Sequence, residues 1–234
     1  MTDQIAPLQK YLAAKLEMAI ARAAEEPTLA PSITISRQAG ARAVSIGEKL
    51  TAHLQHGTRF KNSDWTLFDQ NLVKTIIEDN HLPHELEQQM PEDRVHLMPT
   101  DRTLFQRSAY TIRKLCRLGH AVVVGRAGNF ITEDLTNTFR IRLVGSFECR
   151  RDHLQQKFSM TAKAAQEYIH EKDTARMRYV KSHVHEDIED STAYHLTINT
   201  DELSDDSVVA IITYSLEEWA AGPAKVAKAL RATA

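Results

Sequence analysis

Ser32-Ile33-Thr34-Ile35-Ser36-Arg37-Gln38-Ala39-Gly40-Ala41-Arg42 joins a short β-rich run to a polar loop. A helix starts near Ala43, with Ile46, Leu50 and Leu54 on one side. Downstream the same unit recurs. Thr66-Leu67-Phe68 is a weak strand ending at Asp69, and Leu72, Ile76 and Ile77 mark a helix. Residues 103–118 are helical by the spacing of Leu104, Ile112 and Leu115, with Gly119 as the stop. Ala121-Val122-Val123-Val124 is an unbroken apolar strand, as expected where both faces are covered. Residues 139–144 alternate as a strand. Thr161 is an N-cap for a long charged helix to about Lys181, residues 195–199 form a last strand, and Ser204 caps a final helix carrying Val208, Ile212, Leu216 and Trp219. Strand and helix alternate about five times, which predicts a parallel sheet with helices on both faces. Ligands bind such sheets beyond the carboxyl ends of the strands.

Composition sets the outer bounds. The 29 basic and 31 acidic residues leave a formal charge of −2, so neither a basic nucleic-acid coat nor an acidic disordered tail is expected. With 42% hydrophobic and 26% charged residues, a packed core is expected. No apolar run reaches a bilayer-spanning length and no signal-peptide core is visible, which predicts no membrane partner. Two cysteines make no disulfide framework, which fits a cytoplasmic location. Residues 7–24 carry Leu8, Leu12, Leu16 and Ile20 at helical spacing. This stripe caps the main domain or pairs with a second copy to give a homodimer. Residues 80–100, with Pro83, Pro91 and Pro99, read as a partly helical insertion.

The predicted strand ends are rich in arginine: Arg37, Arg42, Arg126, Arg150 and Arg151, with Arg176 and Arg178 on the long helix. Guanidinium groups bind phosphate oxygens in bidentate fashion, and helix N-termini favour anions. Arg37 and Arg126 each follow an apolar strand directly; Arg150, Arg151, Arg176 and Arg178 also fit ordinary helix-surface arginines. The phosphate-binding pattern G-x-x-x-x-G-K-[ST] is absent. In its place the loop keeps Gly40, Arg42 is its nearby cation, and Ser45 offers a hydroxyl. No confident metal-ligand set is present. Asp69, at the end of the second strand, reads as a helix N-cap.

Other features read as structural. His183-Val184-His185 does not place both rings on one helix face, so a surface role outweighs metal. Cys116 lies on an apolar stripe, as an inert packed thiol. Cys149, beside Arg150 and Arg151, is in a setting that favours thiolate, but no positioned base accompanies it. Trp65 reads as core or rim.

The chain resembles the cytidylate kinase-like proteins of the P-loop nucleoside monophosphate kinase superfamily. Residues 33–40 resemble the family's I-T-I-S-R-[EQ]-[FY]-G opening, and Leu67-Phe68-Asp69-Gln70-Asn71-Leu72-Val73 is similar to F-Y-D-K-E-L-I. Ile112-Arg113-Lys114-Leu115, followed by Val122-Val123-Val124-Gly125-Arg126, is similar to I-R-K-L-A…V-I-V-G-R. Lys172-Asp173-Thr174-Ala175-Arg176 to Tyr179 resembles D-K-A-R-x-x-Y-Y, and His195-Leu196-Thr197-Ile198-Asn199-Thr200 resembles Y-D-L-x-I-N-T. The departures are specific. The family's G-S-G-G-R-E-I is here Gly40-Ala41-Arg42-Ala43-Val44-Ser45-Ile46, which loses two glycines and puts Val44 at the basic position. Ala127 stands where true cytidylate kinases carry an acid.

The resemblance implies a three-layer P-loop kinase-like α/β fold with about five parallel strands. It also implies a division into a helical extension at 1–30, the α/β domain at 31–222 with a lid at about 150–185, and a tail at 223–234. The implied activity is ATP-dependent phosphoryl transfer, with Mg²⁺, to a small phosphorylatable metabolite, with a nucleoside monophosphate such as CMP among the acceptors. The alternative is a nucleotide- or phosphometabolite-binding protein that has lost transfer. Gly40, Ala41, Arg42, Ala43, Val44 and Ser45, with Arg37 and Gly125, are the implied phosphate-binding positions. Asp69, Arg126, Arg150, Arg176 and Arg178 are the implied catalytic ones.

Overall fold

The computed structural model describes residues 30–56, 60, 63–69 and 104–232. The helices expected at residues 7–24 and around Leu72 and Ile76, and the insertion expected at 80–100, lie outside the described residues. The elements are β1 (Ser32–Arg37), α1 (Ala43–His56), β2 (Thr66–Phe68), α2 (Leu104–Leu118), β3 (Ala121–Val124), α3 (Gly128–Ile131), β4 (Thr138–Val144), α4 (Phe147–Phe158), α5 (Ala162–His183), β5 (Leu196–Asn199) and α6 (Asp205–Ala232). Five strands form one sheet in the order β2-β3-β1-β4-β5, and every pairing is parallel. This is the three-layer α/β fold expected.

Alternation along the strands assigns the layers. On β3, Val122 and Val124 face a core with Ile33, Ile35, Ile141 and Leu143, covered by Leu50 and Leu54 of α1 and Val208, Ile212 and Leu216 of α6. Ala121 and Val123 face the opposite core, with Ile112, Leu115 and Cys116 of α2. A strand buried on both faces must be apolar at every position, which is why β3 is an unbroken valine run. Trp65 belongs to the first core and is 1% exposed. Cys116 is fully buried in the second, and burial pushes its thiol up to about 12.

Because the strand order reverses around β1, the crevice opens at its carboxyl end. A third, small core lies there: Ala39 of the loop packs against Leu154 of α4 and Ala165 and Ile169 of α5. The loop after β1 and the α4–α5 pair are thus one packed unit. Thr161 caps α5 as the sequence suggests, its side chain accepting the Ala164 N–H. Helix α6 runs through Gly222-Pro223 as far as Ala232.

Candidate functional site

The loop after β1 is built around two left-handed residues, Gly40 at φ +83° and Arg42 at φ +57°. A Cβ on Gly40 would sit 2.6 Å from the Arg150 carbonyl oxygen, so glycine alone fits that turn. The loop leads into the first turn of α1, whose leading N–H groups have no intrahelical acceptor and whose residues 43–45 line the loop hollow. The hollow is a cavity of about 180 Å³ lined by residues 37–45, with His153, Lys157 and Phe158 of α4 and Tyr168 and Arg176 of α5.

The Arg42 guanidinium is taken up by acceptors of the protein itself. Its Nη2 donates to the carbonyls of Thr200 and Leu203 at 2.5 and 2.6 Å, and Nη1 pairs with Asp205 at 2.9 Å. Ser45 Oγ donates to the other Asp205 oxygen at 2.6 Å. The expectation that Arg42 replaces the loop's lost cation is therefore corrected: it ties the loop to the start of α6. Arg150 is corrected as well. It is 8% exposed, and its Nε and Nη1 donate to Gly145 O, Ala39 O and Asp173, so it braces the loop from below. Arg178 is exposed and lines neither cavity around the crevice.

A second cavity, of about 270 Å³, opens between the end of β3 and α5. Ser36, Arg37, Gly125, Arg126, Asn129, Lys172, Arg176 and Tyr179 are among its lining residues. Its rim is strained. Gly125, Arg126 and Ala127 take φ +90°, +57° and +56° in succession, and left-handed backbone costs a non-glycine residue about 1–2 kcal/mol. A Cβ at Gly125 would overlap Arg37 Nη1, so the missing side chain is what seats that guanidinium. Arg126 Nε and Asn129 Nδ2 are buried with no hydrogen-bond partner among the described residues. Both residues line the cavity, and buried donors of this kind call for an acceptor. The Tyr179 phenol is pushed up by burial, with the Arg126 charge acting in the opposite direction.

Arg37 and Arg176 line both cavities. Arg37 makes no hydrogen bond or ion pair among the described residues, and its acidity reflects that: burial first, then the Arg176 charge, push it down to about 10, with Tyr168 and Asp69 opposing. Arg176 is held by Asp173 at 3.1 Å. The two arginines thus stand at the junction between the loop hollow and the second cavity.

A family described as the cytidylate kinase-like family matches residues 32–202. The chain belongs to the cytidylate kinase-like family. Among solved structures it is similar to an uncharacterized protein from Eubacterium ventriosum at 17% identity, over 80% of this chain and 98% of that one, with a TM-score of 0.62. A shikimate kinase from Bacteroides thetaiotaomicron aligns at 12% identity over 80% of this chain and 98% of that one, with a TM-score of 0.47. No curated protein matches the chain. Membership in a kinase-like family fits phosphoryl transfer in general as the chemistry of the site.

Of the positions expected for this family, Arg37, Arg126, Arg176 and Gly125 are brought together, and Asp69, just past β2, is close enough for its charge to act on Arg37. Asn129, Lys172, Asp173 and Lys157 were not legible. Asn129 looks like any loop amide until its burial is known, and the bracing role of Asp173, a residue of the quoted motif, shows only through its partners Ala39 and Arg150. Other positions are structural. His183 stacks on Phe105 with ring centroids 4.6 Å apart, and no group of three or more metal-ligating side chains occurs among the described residues. No helix among them is long and apolar enough to cross a membrane.

Proposed function

We propose that this cytidylate kinase-like protein transfers the terminal phosphoryl group of MgATP to a small anionic metabolite. The supporting observation is the pair of cavities that meet at Arg37 and Arg176. Phosphoryl transfer requires donor and acceptor in line, with charge neutralised between them, and little covalent work from the protein. In this reading the loop N–H groups of residues 40–45 cradle the donor phosphates. Arg126 and Asn129 hold the acceptor, and Asp69 orients or deprotonates its attacking oxygen. Helices α4 and α5, within the lid expected at 150–185, exclude water.

Magnesium would arrive with the nucleotide. Ser45 fits as its single protein ligand, because the hydroxyl proton is directed to Asp205 and leaves oxygen lone pairs free. The ion would supply charge neutralisation on the donor oxygens. For the acceptor, Ala127 stands where a true cytidylate kinase carries an acid, which favours a phosphometabolite other than CMP. A second reading is a nucleotide-binding protein without transfer activity, favoured by Val44 at the loop's basic position.

The test is ADP release from MgATP across a panel of phosphorylated acceptors, CMP included, with Arg126→Ala as control. Turnover that Arg126→Ala abolishes supports transfer. Nucleotide binding without turnover on any acceptor supports the second reading. No calorimetric ATP binding at millimolar nucleotide overturns both.

A further inference from the structure

We infer that Lys157, in the last turn of α4, supplies the donor-phosphate cation that the loop itself has lost. The inference rests on the donor reading above. Val44 occupies the loop position where a cation would serve, and residues 38–46 contain no lysine. Arg42, the one basic residue in that stretch, is consumed by Thr200, Leu203 and Asp205. Arg37 and Arg176 reach the loop hollow but also line the second cavity, so their charge is divided between the two sites.

Lys157 lines the loop hollow and not the second cavity. It is exposed, makes no ion pair or hydrogen bond among the described residues, and rests 5.9 Å from the centre of the Phe158 ring. Its ammonium is therefore neither neutralised nor locked, and it sits on a flexible stem able to reach an anion. Its neighbours register its charge: the His153 imidazole is held below its ordinary range by burial first, then by Lys157 and Arg42. Charge lost from the loop at Val44 thus reappears across the hollow, on the lid. The packing of Ala39 against Leu154, Ala165 and Ile169 holds α4, and with it Lys157, over the hollow.

The experiment is calorimetric titration of the full chain with MgATP and, separately, with adenosine as a charge-free probe. Lys157→Met should weaken MgATP by about tenfold or more and leave adenosine affinity unchanged. Lys157→Arg should retain binding. Val44 is 44% exposed, so a lysine there is sterically tolerated, and Val44→Lys in the Lys157→Met background should restore MgATP affinity to near the original. Melting temperatures establish that each variant is folded. Lys157→Met binding MgATP like the parent overturns the inference, as does failure of the double variant to recover. A parent protein that binds no MgATP overturns the donor reading itself, a distinct result.

Discussion

Asp173 and Ala39 lie 134 residues apart, yet Asp173 Oδ1 accepts the Ala39 N–H at 2.7 Å. The same carboxylate takes Arg150 Nη1 at 2.7 Å and Arg176 Nη1 at 3.1 Å. One side chain of α5 therefore fixes the phosphate loop, the brace beneath it and the arginine between the two cavities. Asp173→Ala should destabilise the fold by about 3 kcal/mol, because Arg150 would be left buried without its counter-charge. Urea denaturation measures this; a loss below about 0.5 kcal/mol would show that the network is not holding the loop.

Arg37 should trade stability for binding. A largely buried guanidinium with no hydrogen bond or ion pair among the described residues, further pressed by Arg176, costs the fold stability. Arg37→Leu is expected to raise the melting temperature by about 2–4 °C, a gain of about 1 kcal/mol. Pyrophosphate, which should stabilise the parent protein, should give the variant a smaller shift, because Lys157 and Arg176 remain at the hollow. A drop in melting temperature would contradict the assignment.

Arg42 should behave as a structural brace under backbone strain. Arg42→Ala loses three charge-assisted contacts and should cost about 2–3 kcal/mol. Arg42→Gly loses the same contacts but removes the left-handed penalty at φ +57°, so it should be about 1 kcal/mol less damaging. Equal losses would mean that the loop conformation relaxes in both variants.

The two cysteines should separate cleanly. Cys149 is exposed and Cys116 is buried. A thiol reagent should label Cys149 in the folded protein and Cys116 only after unfolding. Burial raises Cys116 from 9.0 to about 12, so above pH 9 the unfolded chain releases a proton that the folded chain retains. Stability should then fall as pH rises from 9 toward 12, approaching about 1.4 kcal/mol per pH unit from this group. Comparing pH–stability curves of the parent and Cys116→Ala isolates the contribution; identical alkaline slopes would exclude it.

Asn129 should act on the acceptor side. Its Nδ2 is buried without a hydrogen-bond partner among the described residues, and the residue lines the second cavity. Asn129→Ala should raise the acceptor KM by about tenfold and leave the KM for ATP unchanged, consistent with loss of one hydrogen bond from a desolvated site. A rise in both constants on steady-state analysis would place its role in the fold.

Local patterning of residues specifies the parallel α/β scaffold. Strand and helix periods, the valine run of β3 and the Thr161 cap are local signals, set by which faces a segment must bury. It also put Arg37 and Arg126 at strand ends, because strand termini are legible from the same pattern. Only the tertiary structure decided which guanidinium groups are available. Arg42, Arg150 and Arg176 have the same intrinsic chemistry, but their acceptors at Thr200, Leu203, Asp205, Gly145, Ala39 and Asp173 come mainly from distant segments. A cation's function depends on whether another part of the chain has already neutralised it. That is a property of three-dimensional proximity, which residue type and spacing do not encode.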